Sequence, residues 1–410
     1  MSIGVTRQVA VALTLGALMS GGRAWAQLGA GRPDGAALPE TSPFQMGPVS
    51  FQPSILLHDV GVDDNVYNAW TNPREDFTST LSPRLQATIT PGSFRVVSTG
   101  SAGFVYFRTY KDQQALNGSG TIRVERLSGR LRPFGSAELW RVRERRGEDM
   151  DVRVRSVRRT ATGGLDVQLT PVTALTTWVR RDQVRYQPDE EFLGVSLAHQ
   201  LNNTSDVVAG GAKFAVTPLT TITTAAEYQR DRFQWNPVRD ADSLRVAPTV
   251  DFDATAIVSG RASLGYRRFM PLDGRLPNFQ GLVGSAVLTH TVASITRLDL
   301  QAERDIDYSY DPLQPFFVRS DVRLTVSQRV VGPLELIAIG GRRHVKYQAL
   351  AGAAIDPRRE TTGTIGGGLG IRVGTDMRFS VTYDRTRRQA TGSGREYERR
   401  RVLASLTYLP

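Results

Sequence analysis

The sequence predicts an all-β fold, a transmembrane antiparallel up-and-down β-barrel of about 18 strands, and three observations support it. Polar and apolar side chains alternate along most of the chain after residue 50, so extended strands would carry one polar and one apolar face. Short turns alternate with longer polar loops. After the first residues, no segment offers the roughly 18 consecutive apolar residues that a membrane-spanning helix needs.

The clearest alternation runs from Ile295 to Val330, which we interpret as one hairpin of the barrel. Its odd positions are mostly charged, and its even positions are mostly apolar, with Arg304 as the charged exception. The same phase returns after segment 311–315, which contains two prolines and is predicted to be an external loop. One face would line a channel and the other would contact lipid. The charged face comprises Arg297, Asp299, Glu303, Asp305, Asp307, Arg319, Asp321, Arg323 and Arg329, and the apolar face includes Leu298, Leu300, Ala302, Ile306 and Tyr308.

Connections of two lengths alternate strictly, and their number sets the number of strands. Eight short turns and nine longer loops make eighteen strands, with both chain ends on the side of the short turns. Tight turns on one side and long loops on the other are typical of outer-membrane barrels. The turns lie near Pro91, Pro133, Pro171, Pro218, Asp253, Val292, Gly332 and Gly374, and the loops are 60–75, 110–118, 146–153, 187–204, 235–242, 270–278, 309–315, 349–360 and 389–396.

The first 26 residues have the form of a secretory signal peptide. Arg7 supplies positive charge, residues 9–19 form an apolar core, and Ala24-Trp25-Ala26 has the small-x-small pattern of a cleavage site. Residues 27–49, rich in Gly, Pro and Ala, are predicted to be a flexible periplasmic lead-in, and residues 50–410 to be the barrel. The sequence contains no cysteine, which excludes a disulfide framework and thiolate chemistry.

The net charge of +11 comes almost entirely from arginine, since only three of the 51 basic residues are lysine. These arginines are spread through strands and loops instead of forming one basic face, which argues against nucleic-acid binding. Interior ion pairs and contacts with lipid phosphate are the expected uses. Charges of the two signs nearly balance on the predicted inner face, so structural pairing is favoured over strong ion selectivity. The predicted lumen-lining residues are Arg261, Arg267, Arg297, Asp299, Glu303, Asp305, Asp307, Arg319, Asp321, Arg323 and Arg378.

Aromatic residues gather near the loop ends of the predicted strands, where they would form a girdle at the outer membrane interface. The chain ends Tyr408-Leu409-Pro410, whereas many outer-membrane barrels finish on an aromatic residue that resembles an assembly signal. We still expect the barrel assembly machinery and outer-membrane lipid to be partners. The predicted girdle comprises Tyr67, Trp70, Tyr106, Tyr110, Trp178, Tyr228, Tyr266, Phe269, Tyr308, Tyr310, Tyr347 and Tyr383.

The sequence offers no constellation for catalysis, metal binding or a cofactor. The four histidines stand apart, and His58-Asp59 is the only close pair of a histidine and a carboxylate. No G-x-S-x-G motif accompanies it, so we expect no enzyme activity. Asp63-Asp64-Asn65 is predicted to be a polar turn rather than a Ca²⁺ site, because no full ligand loop follows. Gly366-Gly367-Gly368 is predicted to let the wall bend or neighbouring strands approach closely.

Several short phrases resemble the outer-membrane family described as putative beta-barrel porin, type two, of Gram-negative bacteria. They are Gly61-Val62-Asp63-Asp64-Asn65-Val66-Tyr67, Ser82-Pro83-Arg84-Leu85, Thr217-Pro218-Leu219-Thr220, Arg239-Asp240-Ala241-Asp242-Ser243, Gly265-Tyr266-Arg267-Arg268-Phe269 and Arg304-Asp305-Ile306-Asp307-Tyr308-Ser309-Tyr310. The resemblance covers nearly all of the chain after the signal peptide. It implies a channel-like outer-membrane barrel. Because members often accompany exopolysaccharide genes, it also implies a link to surface-polymer export, and it supplies no catalytic residues.

Two functions are therefore expected. The first is a porin-like channel of the cell outer membrane that passes small polar solutes or a polysaccharide strand, since barrels of about 16–18 strands leave an aqueous channel. The alternative is a non-conducting barrel that serves a polysaccharide-export system as a structural or assembly partner and is plugged by inward loops. The loop at residues 187–204 is the candidate plug.

Overall fold

Eighteen long antiparallel strands form a closed sheet in the computed structural model. The structure describes residues 44–145, 149–253, 256–374, 376–391 and 394–410. The predicted signal peptide and residues 27–43 of the predicted lead-in lie outside the described residues. The strands are β1 (Phe44–Met46), β2 (Val49–Asp63), β3 (Asp76–Ile89), β4 (Phe94–Phe107), β5 (Ala115–Arg126), β6 (Leu131–Glu144), β7 (Val154–Gln168), β8 (Thr173–Tyr186), β9 (Glu191–Phe192), β10 (Val195–Ser196), β11 (Asn203–Thr217), β12 (Thr220–Phe233), β13 (Ala241–Phe252), β14 (Val258–Pro271), β15 (Phe279–Val292), β16 (Thr296–Tyr308), β17 (Phe316–Val331), β18 (Leu334–Gln348), β19 (Arg359–Val373), β20 (Met377–Ala390) and β21 (Tyr397–Tyr408). Short helices lie at Lys111–Gln113, Leu197–Leu201 and Pro237–Arg239.

The barrel consists of β2–β8 and β11–β21, each paired antiparallel with its neighbour along the chain. β2 closes the ring by pairing with β21, from Ile55 opposite Tyr408 to Asp63 opposite Arg401. Closure satisfies inside the sheet the backbone hydrogen bonds that lipid cannot satisfy. The predicted up-and-down barrel of eighteen strands is confirmed. Within the described ranges, the structure contains no helix long and apolar enough to cross a membrane.

One turn differs from its predicted position. Residues 127–130 connect β5 to β6, and Pro133, which we predicted to lie near the turn, is inside β6. A proline cannot donate a hydrogen bond to a strand ladder. The pairing of β5 with β6 begins at Glu125 opposite Phe134, so Pro133 lies just beyond the paired part of β5. Its missing N–H therefore costs no bond to that strand.

Alternation along the strands separates an apolar outer face from a polar inner face. In β14, Leu264 and Tyr266 are 62% and 50% exposed, whereas the adjacent Arg267 is only 7% exposed. Phe379 and Val381 in β20 are exposed in the same way. A continuous exposed apolar belt of this kind suits contact with lipid.

Close packing of β19 against β20 depends on glycine, as we predicted for residues 366–368. A Cβ added at Gly368 would clash with the carbonyl oxygen of Val381, and one at Gly366 would lie 2.6 Å from the carbonyl oxygen of Tyr383. Both clashes are with backbone atoms, so a side chain at either position would force the strands apart.

We expect Gly368→Ala to lower the free energy of unfolding by about 1–3 kcal/mol, the usual cost of overpacking. Gly340→Ala in β18 is the matched control, because no atom lies within 4 Å of its added Cβ. Urea unfolding in detergent micelles would measure both variants. Equal midpoints for the two variants would contradict the close approach of β19 and β20.

Candidate functional site

The inner face of the wall carries many ion pairs, and nine of the eleven residues that were predicted to line the lumen take part in them. Arg319 donates to Glu303 at 2.6 Å. Arg323 lies on the same face of β17 as Arg319, and Asp307 accepts the backbone N–H of Tyr308 at 2.8 Å. Pairs between strands help to hold the register of the wall. The other predicted residues pair as Arg261 with Asp251, Arg267 with Asp305, Arg297 with Asp299, Asp321 with Arg343, and Arg378 with Glu335.

A polar cavity of about 60 Å³ lies against one side of this wall. Five arginines and six carboxylates line it, so its charge is close to balance. Two buried donors in its lining, Arg158 Nη1 and Arg245 Nε, have no hydrogen-bond partner among the described residues. The charged lining comprises Arg158, Arg180, Asp182, Glu227, Asp231, Arg245, Arg267, Glu303, Asp305, Asp307 and Arg319.

At its outer end the wall separates between β15 and β16. Their pairing stops at Gly284 opposite Arg304. β15 nevertheless stays paired with β14 out to Phe279, and β16 stays paired with β17 out to Tyr308. The end of the β16–β17 hairpin, residues 305–319, therefore bends away from β15 toward the lumen. We name these residues the inner hairpin.

Side chains satisfy backbone groups that this separation leaves without a strand partner. Asp305 and Asp307 each accept the backbone N–H of the following residue at 2.8 Å. Arg304 Nε donates to the carbonyl oxygen of Leu282 on β15 at 3.1 Å. Unpaired backbone groups are costly in or near lipid. Arg304, the exception in the alternating pattern, thus marks the position where the wall opens.

The inner hairpin packs with neighbouring loops into a hydrophobic core across the outer mouth. The rings of Phe233 and Tyr308 lie 4.6 Å apart between centroids, and those of Phe192 and Tyr310 lie 4.7 Å apart. These rings come from three different parts of the chain and belong to one buried hydrophobic cluster. We name the assembly the lid, which comprises the inner hairpin and segments 149–153, 187–202, 235–240, 272–278 and 349–358.

Asp149 joins two opposite sides of the lid. This residue of the β6–β7 connection is 2% exposed. It accepts hydrogen bonds from the Tyr310 backbone N–H and the Tyr347 hydroxyl, both at 2.7 Å, and from Arg358 at 2.6 Å. The β6–β7 and β18–β19 hairpins lie on opposite sides of the ring. Eight strands separate them in one direction (β8 and β11–β17) and six in the other (β20, β21 and β2–β5). The contacts of Asp149 therefore span the mouth.

Arg239 holds another part of the lid. The side chain is 1% exposed. It donates to the carbonyl oxygens of Pro315 and Asp311, at 2.7 and 3.0 Å, and to the side-chain oxygen of Gln200 at 3.0 Å. Burial lowers the pKa of Arg239 to about 10, against the opposing effect of the Asp149 and Asp311 charges. The guanidinium therefore keeps its charge at neutral pH.

Two predictions about the outer end are wrong. Ile306 and Tyr308, predicted to face lipid, lie in the lid because the hairpin bends inward beyond Arg304. The aromatic girdle is also smaller than predicted, since Trp178, for example, packs on the inner face against Ala209. Five of the twelve predicted girdle residues are buried, namely Trp178, Phe269, Tyr308, Tyr310 and Tyr347.

Folding brings a serine to the His58-Asp59 pair, which the sequence did not reveal. His58 Nδ1 lies 2.8 Å from Asp59 Oδ2, and His58 Nε2 lies 3.3 Å from Ser82 Oγ on β3. A serine hydrolase also needs oxyanion donors, commonly including the backbone N–H of the residue after the nucleophile. That residue is Pro83, which has no N–H. We interpret the trio as support for the register shift in β2, where Asp59 has a φ of 53°.

The described ranges bring together no group of three or more metal-ligating side chains. The Asp63 carboxylate, considered as a Ca²⁺ ligand, accepts a hydrogen bond from Arg399 at 2.8 Å and one from the Asn65 backbone N–H at 3.1 Å. An arginine at this position would repel a cation, so the arrangement agrees with the predicted turn.

A closed barrel with an apolar outer belt, a charged inner wall and long loops over one mouth has the fold of a porin-like outer-membrane channel. The chain belongs to the family described as "Putative beta-barrel porin 2", whose model matches residues 42–408. The protein is therefore located in the outer membrane. Its family and fold are typical of channels rather than enzymes.

Several solved structures resemble the chain, among them an iron transporter and an outer membrane protein. OccK2 (OpdF) of Pseudomonas aeruginosa, in complex with glucuronate, has 13% identity and a TM-score of 0.47 over 88% of this chain and 98% of that one. OpdK of the same organism has 11% identity and a TM-score of 0.47 over 88% and 99%. The FrpB iron transporter of Neisseria meningitidis has 10% identity and a TM-score of 0.41 over 84% and 63%. No curated protein matches the chain significantly.

With TM-scores below 0.5, these likenesses carry no conclusion about this chain. They give no support to the exopolysaccharide link that the family resemblance implied, or to the non-conducting alternative. Asp149, Arg180 and Asp182 were not among the lumen-lining residues predicted from the sequence. In β8, Arg180 and Arg181 are adjacent, so the sequence did not show which of the two faces inward. The structure places Arg180 on the inner face.

Proposed function

We propose that the protein is an outer-membrane channel for small polar solutes and that its lid opens and closes the outer mouth. The main observation in support of this proposal is the separation between β15 and β16. A hairpin that is already detached from one neighbour has room to change position while the rest of the ring stays closed.

Movement of the inner hairpin would leave the β15–β16 ladder intact. At the separation, Arg304, Asp305 and Asp307 already satisfy backbone groups. The inner hairpin stays paired with β18, from Phe316 opposite Gln348 to Arg319 opposite Val345. Its other contacts in the lid include those of Asp149 and Arg239 and the bond from the Leu350 backbone N–H to the Leu313 carbonyl oxygen. Opening would exchange these contacts for solvent. Closed and open states that differ by a few kcal/mol can both be populated, and a ligand can shift the balance between them.

The charged interior suits polar solutes of either sign. Positive and negative groups nearly balance around the cavity. A ring of charges of one sign would select ions of the other sign, so this balance predicts little charge selectivity. The guanidinium groups and carboxylates that line the cavity offer donors and acceptors to a polar solute. In this proposal the eleven lumen-lining residues predicted from the sequence brace the wall through ion pairs and also border the path.

Liposome swelling tests the proposed solute class. Liposomes that contain the purified protein should admit monosaccharides and amino acids, with rates for neutral, cationic and anionic amino acids of similar size within about threefold, because the wall charges balance. Empty liposomes and heat-unfolded protein are the controls. Failure of every solute to enter would favour the non-conducting alternative. Rapid entry of long dextrans would instead favour a polymer conduit.

A further inference from the structure

Four cationic side chains form a patch on the outward face of three neighbouring strands. Arg342 in β18 lies opposite Gly363 in β19, and Gly363 lies opposite Arg387 in β20. Two rows closer to the loops, beyond His344 and Thr361, Lys346 in β18 lies opposite Arg359 in β19. All four cations are exposed. We name Arg342, Lys346, Arg359 and Arg387 the cationic patch.

The cationic patch lacks the carboxylate partners that the inner arginines have. None of its four side chains forms an ion pair within the part of the chain that the structure describes. Glu398 lies opposite Arg387, but its carboxylate is bound by two other arginines at 2.8 and 2.7 Å. Glu360 and Asp384 on the same strands are 2% and 5% exposed and belong to the inner face. Like charges at this spacing repel, so the patch favours an external anion.

The shape of the patch suits a phosphate group. Gly363 is exposed, and a Cβ added there would meet no atom within 4 Å, so an open recess separates Arg342 from Arg387. Adjacent strands are ~4.8 Å apart, which places these two backbones ~10 Å apart. Arginine side chains at that spacing can both reach one phosphate, which guanidinium groups bind through paired hydrogen bonds.

Apolar side chains continue the same surface toward the middle of the membrane. Ile365, Leu369 and Tyr383 are 69%, 53% and 47% exposed on β19 and β20. A soluble phosphate would use only the cationic part of this surface. A phosphorylated lipid would place its headgroup on the cations and its acyl chains on the apolar side chains.

We propose that the outer ends of β18–β20 bind a phosphorylated lipid of the outer leaflet. The cationic patch holds the phosphates, and the apolar row beneath it holds the acyl chains. The site would fix the barrel in its lipid on the side of the β18–β19 connection, which forms part of the lid.

Titration with lipid A tests this site in the refolded full-length barrel in non-ionic detergent. The variant Arg342→Gln/Lys346→Gln/Arg359→Gln/Arg387→Gln should bind diphosphorylated lipid A about tenfold more weakly than the parent, because charge-assisted bonds to phosphate are lost. Parent and variant should bind dephosphorylated lipid A alike. Native mass spectrometry would count the bound lipid.

A matched control removes four exposed cations that are dispersed around the same end of the barrel. Arg108→Gln/Arg159→Gln/Arg230→Gln/Arg268→Gln lowers the net charge equally. It should change lipid A binding less than about twofold if the site is local. Equal losses in the two variants would overturn the proposal in favour of diffuse attraction, and unchanged binding in the patch variant would overturn it outright. Heat-modifiable gel mobility would verify that both variants fold.

Discussion

A disulfide between positions 275 and 351 should close the channel. The Ala351 backbone N–H donates to the Arg275 carbonyl oxygen at 2.8 Å, so the two backbones are close enough to bridge. The residues belong to the β14–β15 and β18–β19 connections, and the β16–β17 hairpin lies between them in the ring. The bridge would tie the two connections together across the inner hairpin. A disulfide commonly stabilises the linked state by about 2–4 kcal/mol, so solute flux should fall ~30-fold or more.

The sequence contains no cysteine, so the two introduced thiols have no other partner in the chain. Arg275→Cys/Ala351→Cys should lose flux on oxidation and regain it when a reductant is added. The single variants Arg275→Cys and Ala351→Cys should respond to neither treatment. If a bridge proved by gel mobility left the flux unchanged, opening would not require these two connections to move.

Removal of the Asp149 carboxylate should have the opposite effect and favour the open state. Asp149→Ala would remove the buried acceptor of the Tyr347 hydroxyl and one of the carboxylates that bind the Arg358 guanidinium. Breaking a buried charge pair commonly costs about 3–5 kcal/mol. The lower part of that range is expected, because Glu360 also contacts Arg358 at 2.9 Å. Liposome swelling should therefore be faster than with the parent protein.

Two comparisons separate lid opening from general damage. Asp273→Ala removes another loop carboxylate paired with an arginine, but that arginine, Arg275, is largely exposed, so little change in flux is expected. Unfolding of the Asp149→Ala barrel in urea should remain close to that of the parent, since the strand ladders are untouched. Flux equal to that of the parent would show that Asp149 does not hold the mouth closed.

The strand number and the two faces of the wall followed from the sequence because both depend on local periodicity. Side chains alternate every second residue, and turns interrupt them at regular intervals. Glu303 and Arg319 were both assigned to the charged face for the same reason, and they pair across the two strands. Alternation reports which side a residue faces, but it does not report where the ladder between two strands ends. The separation above Arg304 was therefore missed, although that residue broke the pattern.

The lid was predicted only as an inward loop at residues 187–204, and its composition could not be read from the sequence. Asp149 and Arg239 lie in irregular connections, so periodicity says nothing about their partners. Apart from the contact of Arg239 with Gln200, their contacts join residues 70 or more positions apart in the chain, from Arg239 with Ser309 to Asp149 with Arg358. Contacts of that separation depend on how the ring closes. The same reason explains the buried aromatic residues assigned to the girdle.

Single-channel recording of Arg275→Cys/Ala351→Cys in a planar bilayer tests the mobile lid most directly. One oxidised barrel should remain closed, and it should begin to open within the same recording when a reductant reaches the side of the long loops. The single-cysteine variants should open throughout. Conductance that is steady and identical before and after reduction would contradict a lid that opens and closes the outer mouth.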